Sequence, residues 1–359
     1  AMRARLGDDG VVARLGGDEF VILAANAGAV DLARLAGDVN RLFDRPFTVL
    51  GRDLYVSASV GVAVGPRDGD DADTLLRHAD LAMYAAKTSG KNTFRFYQPA
   101  MGERAVNRQR LENALRGALR RGELFLLYQP QYNLDTRRPV GVEALARWRS
   151  PEFGLVPPDQ FIPLAEENGA ILEIGAWVVR EACRQLAEWR ARGIDAPRMA
   201  INLSTQQIKH GRIVELLASA CAEAGVPPAD IELEVTESMA MDHLAADGAT
   251  LKELRALGVA LSIDDFGAGH SSLGRLRRLP VHRLKIDRSF IADIGQDRDD
   301  EAIVSTIIAL GKSLGLEIIA EGVETEEQAA FLRQAGCELA QGWLFAKALP
   351  ADEAGALFR

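Results

Sequence analysis

The fold class this sequence predicts is a two-part α/β chain, its larger part a (β/α)8 TIM-like barrel with an antiparallel first strand. Three observations carry that expectation. From Leu124 onward, strand-like apolar runs alternate with helical patterns of roughly 10 to 20 residues. Eight such runs can be quoted. The roughly 235 residues from Leu124 to Arg359 match the usual size of a barrel whose chemistry sits at the C-terminal ends of its strands.

In chain order the eight runs are FLLYQPQY, VGVEALARW, MAINLS, IELEVTE, ALSIDDF, RLKID, EIIAEGV and ELAQGW. A turn-like segment from Asn133 to Pro139 leads from the first run straight into the second, with no helix between, so this pair is expected to be antiparallel. Ahead of the barrel, residues 11–15, 20–24 and 54–64 read as strands and residues 31–42 and 73–88 as helices, a small α/β unit over residues 1–98. Residues 99–107 read as a linker. They lead into a polar helix over 106–121, and the barrel domain is assigned to residues 108–359.

Composition sets limits on function. With 48% hydrophobic and 26% charged residues the chain is an ordinary globular protein. It has neither an apolar run approaching about 18 residues nor a signal peptide, so a cytoplasmic location is expected, with membrane anchoring of a longer parent through earlier segments left open. Ala1-Met2 reads as a cloning remnant on a piece of something longer. Cys183, Cys221 and Cys337 are too widely spaced for a zinc site or a disulfide framework and read as buried thiols. A net charge of −9 argues against binding DNA or RNA. Arg275, Arg277, Arg278, Arg283 and Arg288 are taken as a solvated helix face and interface.

The ends of the strand runs carry the chemistry. Glu143, Asn202, Glu234, Asp264 with Asp265, Lys285, Glu321 and Gln341 each lie at or beside the end of a run, so a closed barrel would bring them to one rim. So many acids cannot stay ionised together unless cations share them. Oxygen donors without histidine or cysteine point to a hard cation, Mg2+ or Mn2+. The adjacent aspartates suggest two ions: successive strand residues face opposite ways, so Asp264 would point into the mouth while Asp265, at the start of the loop, bends over it. A pair of ions is the usual clamp for displacement at phosphorus, and Lys285 would orient or deprotonate the attacking water. One such acid alone is more often a cap or a surface group; the eight positions together are hard to assign to chance.

Glu143-Ala144-Leu145 with Arg147, AINLS, ELEVTES, DDFGAGHSS, LKID, AEGVET and QGWLFAKALP together resemble an EAL domain, the phosphodiesterase family acting on cyclic di-GMP. The resemblance covers about Arg108 to Arg359. It implies that Glu143, Asn202, Glu234 and Asp264 hold one ion, and that Asp264, Asp265 and Glu321 hold the other. It implies further that Lys285 and Gln341 position water, that Arg147 and Gln129 bind substrate, and that Glu237 anchors the loop covering the site. Gly267 and Gly269 would give that loop its backbone freedom. His270 stands where the family more often has tyrosine and is read as a solvated loop residue. A homodimer through the barrel is expected.

RLGGDEF, with Gly16, Gly17, Asp18, Glu19 and Phe20, resembles the hairpin of the GGDEF family, the diguanylate cyclases, and residues 57–92 resemble that domain's closing strand and helix. The glycines would admit a nucleotide closely and the acids would hold its metal. Gly7 and Gly10 occupy the positions of the family's product-inhibition arginine and aspartate, so no inhibitory site is expected. The family's opening segment is expected to be missing. Strands such as 20–24 would then expose apolar faces unless something covers them.

The leading expectation is hydrolysis of cyclic di-GMP to linear pGpG by a two-ion mechanism, under the control of upstream sensory domains. A catalytically quiet cyclic di-GMP receptor regulated by the partial front domain is the second. A cyclase or GTP-sensing regulator is the third.

Overall fold

The computed structural model describes residues 10–49, 51–195, 198–210, 212–245, 249–267 and 276–359. His270, Gly269 and Arg275 therefore lie outside the described residues, as does Gly7. The chain forms two compact units, Ala1–Leu111 and Glu112–Arg359.

In the first unit, strands β1 (Gly10–Gly16) and β2 (Glu19–Ala24) form an antiparallel hairpin. Helix α1 (Ala29–Arg41) follows, then a second small hairpin of β3 (Phe47–Val49) and β4 (Arg52–Leu54). Strand β5 (Val60–Val62), helix α2 (Ala72–Thr88) and strand β6 (Phe94–Phe96) make a right-sized crossover, with β5 and β6 parallel. Asp71 caps α2 by accepting from the Thr74 N–H. Gly61 lies on β5 because α2 packs directly on it; a Cβ there would meet the Ala79 carbonyl oxygen at 1.9 Å. The single strand expected over 54–64 is in fact the end of β4 and the separate β5. The residues between them keep strand-like alternation in sequence but pair with no strand among the described residues.

Helix α3 (Pro99–Leu115) runs through the stretch expected as a linker and ends six residues before the predicted helix end. Gly117 and Gly122, both in the left-handed region, turn the chain into the barrel.

The second unit is a closed eight-stranded barrel. Strand β7 (Leu124–Asn133) pairs antiparallel with β8 (Pro139–Ser150), as the missing helix required. A short β9 (Gly154–Val156) extends β8 outside the ring. The remaining strands are β10 (Arg198–Asn202), β11 (Ile231–Thr236), β12 (Ala260–Phe266), β13 (Arg283–Ile286), β14 (Glu317–Ala320) and β15 (Leu339–Ala340). They run parallel from β8 round to β15, and β15 closes the ring on β7 in antiparallel sense. Helices cover the outside, among them α4 (Pro158–Asn168), α5 (Ile171–Ala191), α6 (Thr205–Lys209), α7 (Ile213–Ala224), α8 (Glu237–Ala245), α9 (Ala249–Leu257), α10 (Arg288–Ala292), α11 (Arg298–Ser313) and α12 (Glu326–Ala335).

Alternation along the strands separates two cores. Ile231, Leu233 and Val235 on β11, Leu261 and Ile263 on β12, and Leu284 and Ile286 on β13 are buried and belong to the apolar set. The residues between them, Glu232, Glu234, Ser262, Arg283 and Lys285, are buried and polar. Burying such groups is costly unless they are paired, and the charged ones are, Arg283 with Glu232 and Lys285 with Glu234, whereas the Ser262 hydroxyl has no partner among the described residues. Arg283 reaches Glu232 at 2.8 Å, Glu317 at 2.9 Å and the Gln131 side-chain oxygen at 3.2 Å. Arg283 is thus inside the barrel and not on a solvated arginine face, because it stands two residues before Lys285 and shares its side of β13. Gly141 makes room for this layer: a Cβ there would lie 2.6 Å from the Gln131 side-chain oxygen.

The thiols of Cys183, Cys221 and Cys337 are free and buried. Among the described residues no helix is long and apolar enough to cross a membrane.

Candidate active site

The site is built at the C-terminal ends of the parallel strands, one layer above Arg283. At its centre is the ammonium group of Lys285, which is 1% exposed. It lies 2.6 Å from Glu234, 2.6 Å from Glu321, 3.1 Å from Asp264 and 3.8 Å from Glu143. These acids come from β11, from the residue after β14, and from β12 and β8. The barrel gathers residues separated by up to 178 positions around one cation.

Two amides complete the floor. Asn202 Nδ2 donates to Glu143 Oε1 at 2.6 Å, and Gln341 Nε2 donates to Glu143 Oε2 at 2.6 Å and to Gln129 Oε1 at 3.1 Å. Gln129 faces Glu143 in the β7–β8 register and donates in turn to the Ala346 carbonyl at 3.3 Å. Arg147 lies four residues beyond Glu143 on β8, half-buried, with Nη1 donating to the Ala146 carbonyl.

The charges act strongly on one another. Burial opposes ionisation of Glu143, but Lys285 and the bonds from Gln341 and Asn202 outweigh it and hold its carboxyl below the usual range. Burial also opposes the charge on Lys285, yet the surrounding carboxylates raise its pKa well above normal. Burial and the neighbouring Glu143 charge push Glu234 well up. Glu321, pushed up by burial with Asp264 and Glu143 adding to it, reaches about 8 despite Lys285. The acid set exceeds what one lysine neutralises.

The paired aspartates are arranged differently from simple strand alternation. The β12–β13 register shifts between Ile263 and Phe266, a bulge at the two acids, and Asp265 has φ 53°, in the left-handed region. The bulge turns Asp265 back beside Asp264, so that Asp264, Asp265 and Glu321 each offer an oxygen within 4.8 Å of the others. That trio can hold a metal ion. Burial and the Asp264 charge raise Asp265 to about 6. Its carboxyl also hydrogen-bonds Asp287, two residues beyond Lys285. Asp287 was not singled out from the sequence, although LKID places it on the same parity as the lysine.

The fit to cations has a second support. Glu234 Oε1 and Gln341 Oε1 are buried and have no hydrogen-bond partner among the described residues. Orphaned buried oxygens in an acidic pocket suit a hard cation. Beside the trio, Glu237 is 4% exposed and its Oε2 accepts the Gly267 N–H at 3.1 Å, tying down the start of the loop that follows β12. Gly267 has φ 102°, and a Cβ there would meet the Phe290 ring at 2.9 Å.

The motif of the first unit stands apart from this pattern. Gly16, Gly17, Asp18, Glu19 and Phe20 form the tip of the β1–β2 hairpin and are all exposed. Gly17 takes the left-handed conformation that the turn needs, and Arg14 donates to its carbonyl at 3.0 Å and lies over the Phe20 ring.

The EAL domain family matches residues 112–348, and the family described as diguanylate cyclase, GGDEF domain, matches residues 1–93. The Pseudomonas aeruginosa bifunctional diguanylate cyclase/cyclic di-GMP phosphodiesterase MucR is 44% identical over 352 residues, 98% of this chain and 51% of its own length. The Escherichia coli cyclic di-GMP phosphodiesterase PdeR is 38% identical over 352 residues, 98% of this chain and 53% of its own. The chain thus spans about half the length of these curated relatives. The solved PaMucR phosphodiesterase, in its c-di-GMP complex, is 47% identical with a TM-score of 0.66, covering 68% of this chain and 99% of that one. The chain belongs to the EAL domain family, with a GGDEF-family segment ahead of the barrel.

Proposed function

We propose that this chain hydrolyses one phosphodiester bond of cyclic di-GMP to give linear pGpG, using two Mg2+ or Mn2+ ions. The observation that carries the reading is the surplus of acidic and amide oxygens around Lys285, two of them buried and without a hydrogen-bond partner among the described residues. The names of MucR and PdeR and the c-di-GMP complex of PaMucR support the choice of substrate.

In this reading Glu143, Asn202, Glu234 and Asp264 hold one ion, and Asp264, Asp265 and Glu321 the other. The ions supply Lewis-acid activation of water and neutralise charge on the phosphoryl oxygens. Lys285, bonded to three of the acids, fixes their orientation, and an N–H proton released when cations take those carboxylates would be free to donate to the incoming water. Gln341 holds Glu143 with its amide nitrogen and leaves Oε1 free to accept from that water. Arg147 grips a substrate phosphate with its planar fork, and Gln129 lines the same side of the mouth. Glu237 holds the loop after β12 in the geometry that keeps Asp264 and Asp265 together. Pairing of two copies through the barrel, and control by domains outside this chain, complete the reading; sedimentation showing a fully active monomer would remove the pairing.

The test is direct. The purified chain is incubated with cyclic di-GMP and Mg2+, with and without EDTA, and the products are resolved by ion exchange. Linear pGpG that disappears with EDTA is the expected result. Cyclic di-GMP that binds yet stays intact would make the chain a receptor instead.

A further inference from the structure

The foot of the barrel, opposite the acidic mouth, holds a cavity of about 490 Å³ with the reverse charge. Arg198 begins β10, His282 immediately precedes β13, Arg255 projects from α9 and Arg277 precedes β13 by six residues; all four line it. Neither Arg255 nor Arg277 has an ion pair or side-chain hydrogen bond with any described residue. Arg198 is only loosely engaged, 3.6 Å from Glu232 and 3.8 Å from Glu317, because both acids are taken at shorter range by Arg283. Burial and the charges of Arg255 and Arg198 lower the His282 pKa in spite of Glu232 and Glu317, so the positive groups prevail there. The His282 Nδ1 accepts the Leu261 N–H at 3.3 Å, which places the ring proton on Nε2 as a donor.

We propose that this cavity is a binding site for a phosphate-bearing ligand of mononucleotide size, separate from the catalytic mouth. Two unpaired guanidinium forks suit phosphate oxygens bidentately, and the Nε2–H of His282 adds a third donor. Leu276, Leu279 and Val281 give the cavity an apolar wall for the body of the ligand, and the volume lies in the range of small-molecule sites. A bare anion would leave that wall unused. A planar base can lie against it or stack on a guanidinium.

AMP is the probe, since it carries a purine and a phosphate but lacks the guanine of the proposed substrate. It is titrated into the full chain in EDTA, followed by calorimetry and by the histidine ring signals in NMR, with His282→Gln assigning the His282 signal. AMP is expected to bind one site and to shift that signal. Arg255→Ala with Arg277→Ala, two exposed positions that leave basal turnover unchanged, weakens binding by at least about tenfold. Adenosine and inorganic phosphate each bind more weakly than AMP. Equal AMP affinity in the double variant would overturn the site, and so would absence of binding up to about 10 mM. Adenosine matching AMP would remove the phosphate assignment, and phosphate matching AMP would remove the mononucleotide size.

Discussion

The barrel mouth and the front hairpin both present acids in family motifs, yet they are constructed in opposite ways. In the mouth, the ligands arrive from several strands, only Asp264 and Asp265 sharing one, and bonds tie members together: Asn202 and Gln341 to Glu143, Lys285 to Glu234 and Glu321. In the hairpin, residues 16–20 are contiguous, exposed, and held by a two-stranded ribbon. A dispersed set exists only when the fold exists, so its completeness says something about the fold. A contiguous motif can persist in sequence whether or not the structure around it supports chemistry.

Changes in the mouth should therefore act first on chemistry. Glu143→Gln keeps the shape but has one acceptor oxygen in place of two, so it can accept from Asn202 or from Gln341 and not from both, and it removes the charge that Lys285 and the cations share. Turnover of cyclic di-GMP should fall on the order of 10⁴-fold, as removal of a central catalytic group does. The urea midpoint at neutral pH should fall somewhat, because the folded site holds this carboxyl below its usual range and so favours its charge. Near-normal turnover would remove Glu143 from the site.

One layer down, the same strands carry the reverse expectation. Arg283→Met leaves Glu232, 1% exposed, with Arg198 at 3.6 Å as its one remaining charge partner among the described residues. Breaking a buried pair on one side costs about 3–5 kcal/mol, which urea denaturation would register, and Glu232→Gln in the same chain should restore much of it. A loss below about 1 kcal/mol would mean water reaches this layer.

The difference between these layers marks what the sequence could and could not disclose. Eight runs ending in polar residues made the barrel and its rim legible, and the absent helix after Asn133 made the antiparallel pair legible. The bulge at Asp264 and Asp265 was not, since strict alternation sends neighbouring side chains to opposite faces and only the left-handed Asp265 brings the carboxylates together. Arg283 was hidden among Arg275, Arg277, Arg278 and Arg288, where local density suggested a surface; its parity with Lys285 was the better signal. Asp287 was hidden by the lysine beside it in the same motif. In the front unit, the alternating stretch before Val60 read as strand because alternation alone does not show whether a stretch is paired, and this one pairs with no strand among the described residues.

Between chemistry and stability stands Glu237. Its Oε2 is the acceptor for the Gly267 N–H, and the loop after β12 starts from that bond. Glu237→Ala should reduce turnover about 10- to 100-fold, the usual cost of losing a support behind metal ligands. Glu237→Gln, which keeps an oxygen acceptor, should recover part of the loss. Equal loss in both variants would show that the charge, and not the bond to Gly267, is what matters.

The smallest effect is expected at the hairpin, and it is the most direct test of the contrast. Asp18→Ala with Glu19→Ala removes both acids of the front motif at exposed positions. Surface changes of this kind usually alter stability by no more than about 0.5 kcal/mol. Phosphodiesterase turnover should stay within about twofold of the parent chain for the same reason, since every group assigned to the reaction lies in the mouth. A larger fall in turnover with an unchanged urea midpoint would mean that an exposed, contiguous motif governs a buried, dispersed one. The hairpin would then act on the barrel as a regulator, and the two regions would have to be treated as one functional site despite their opposite construction.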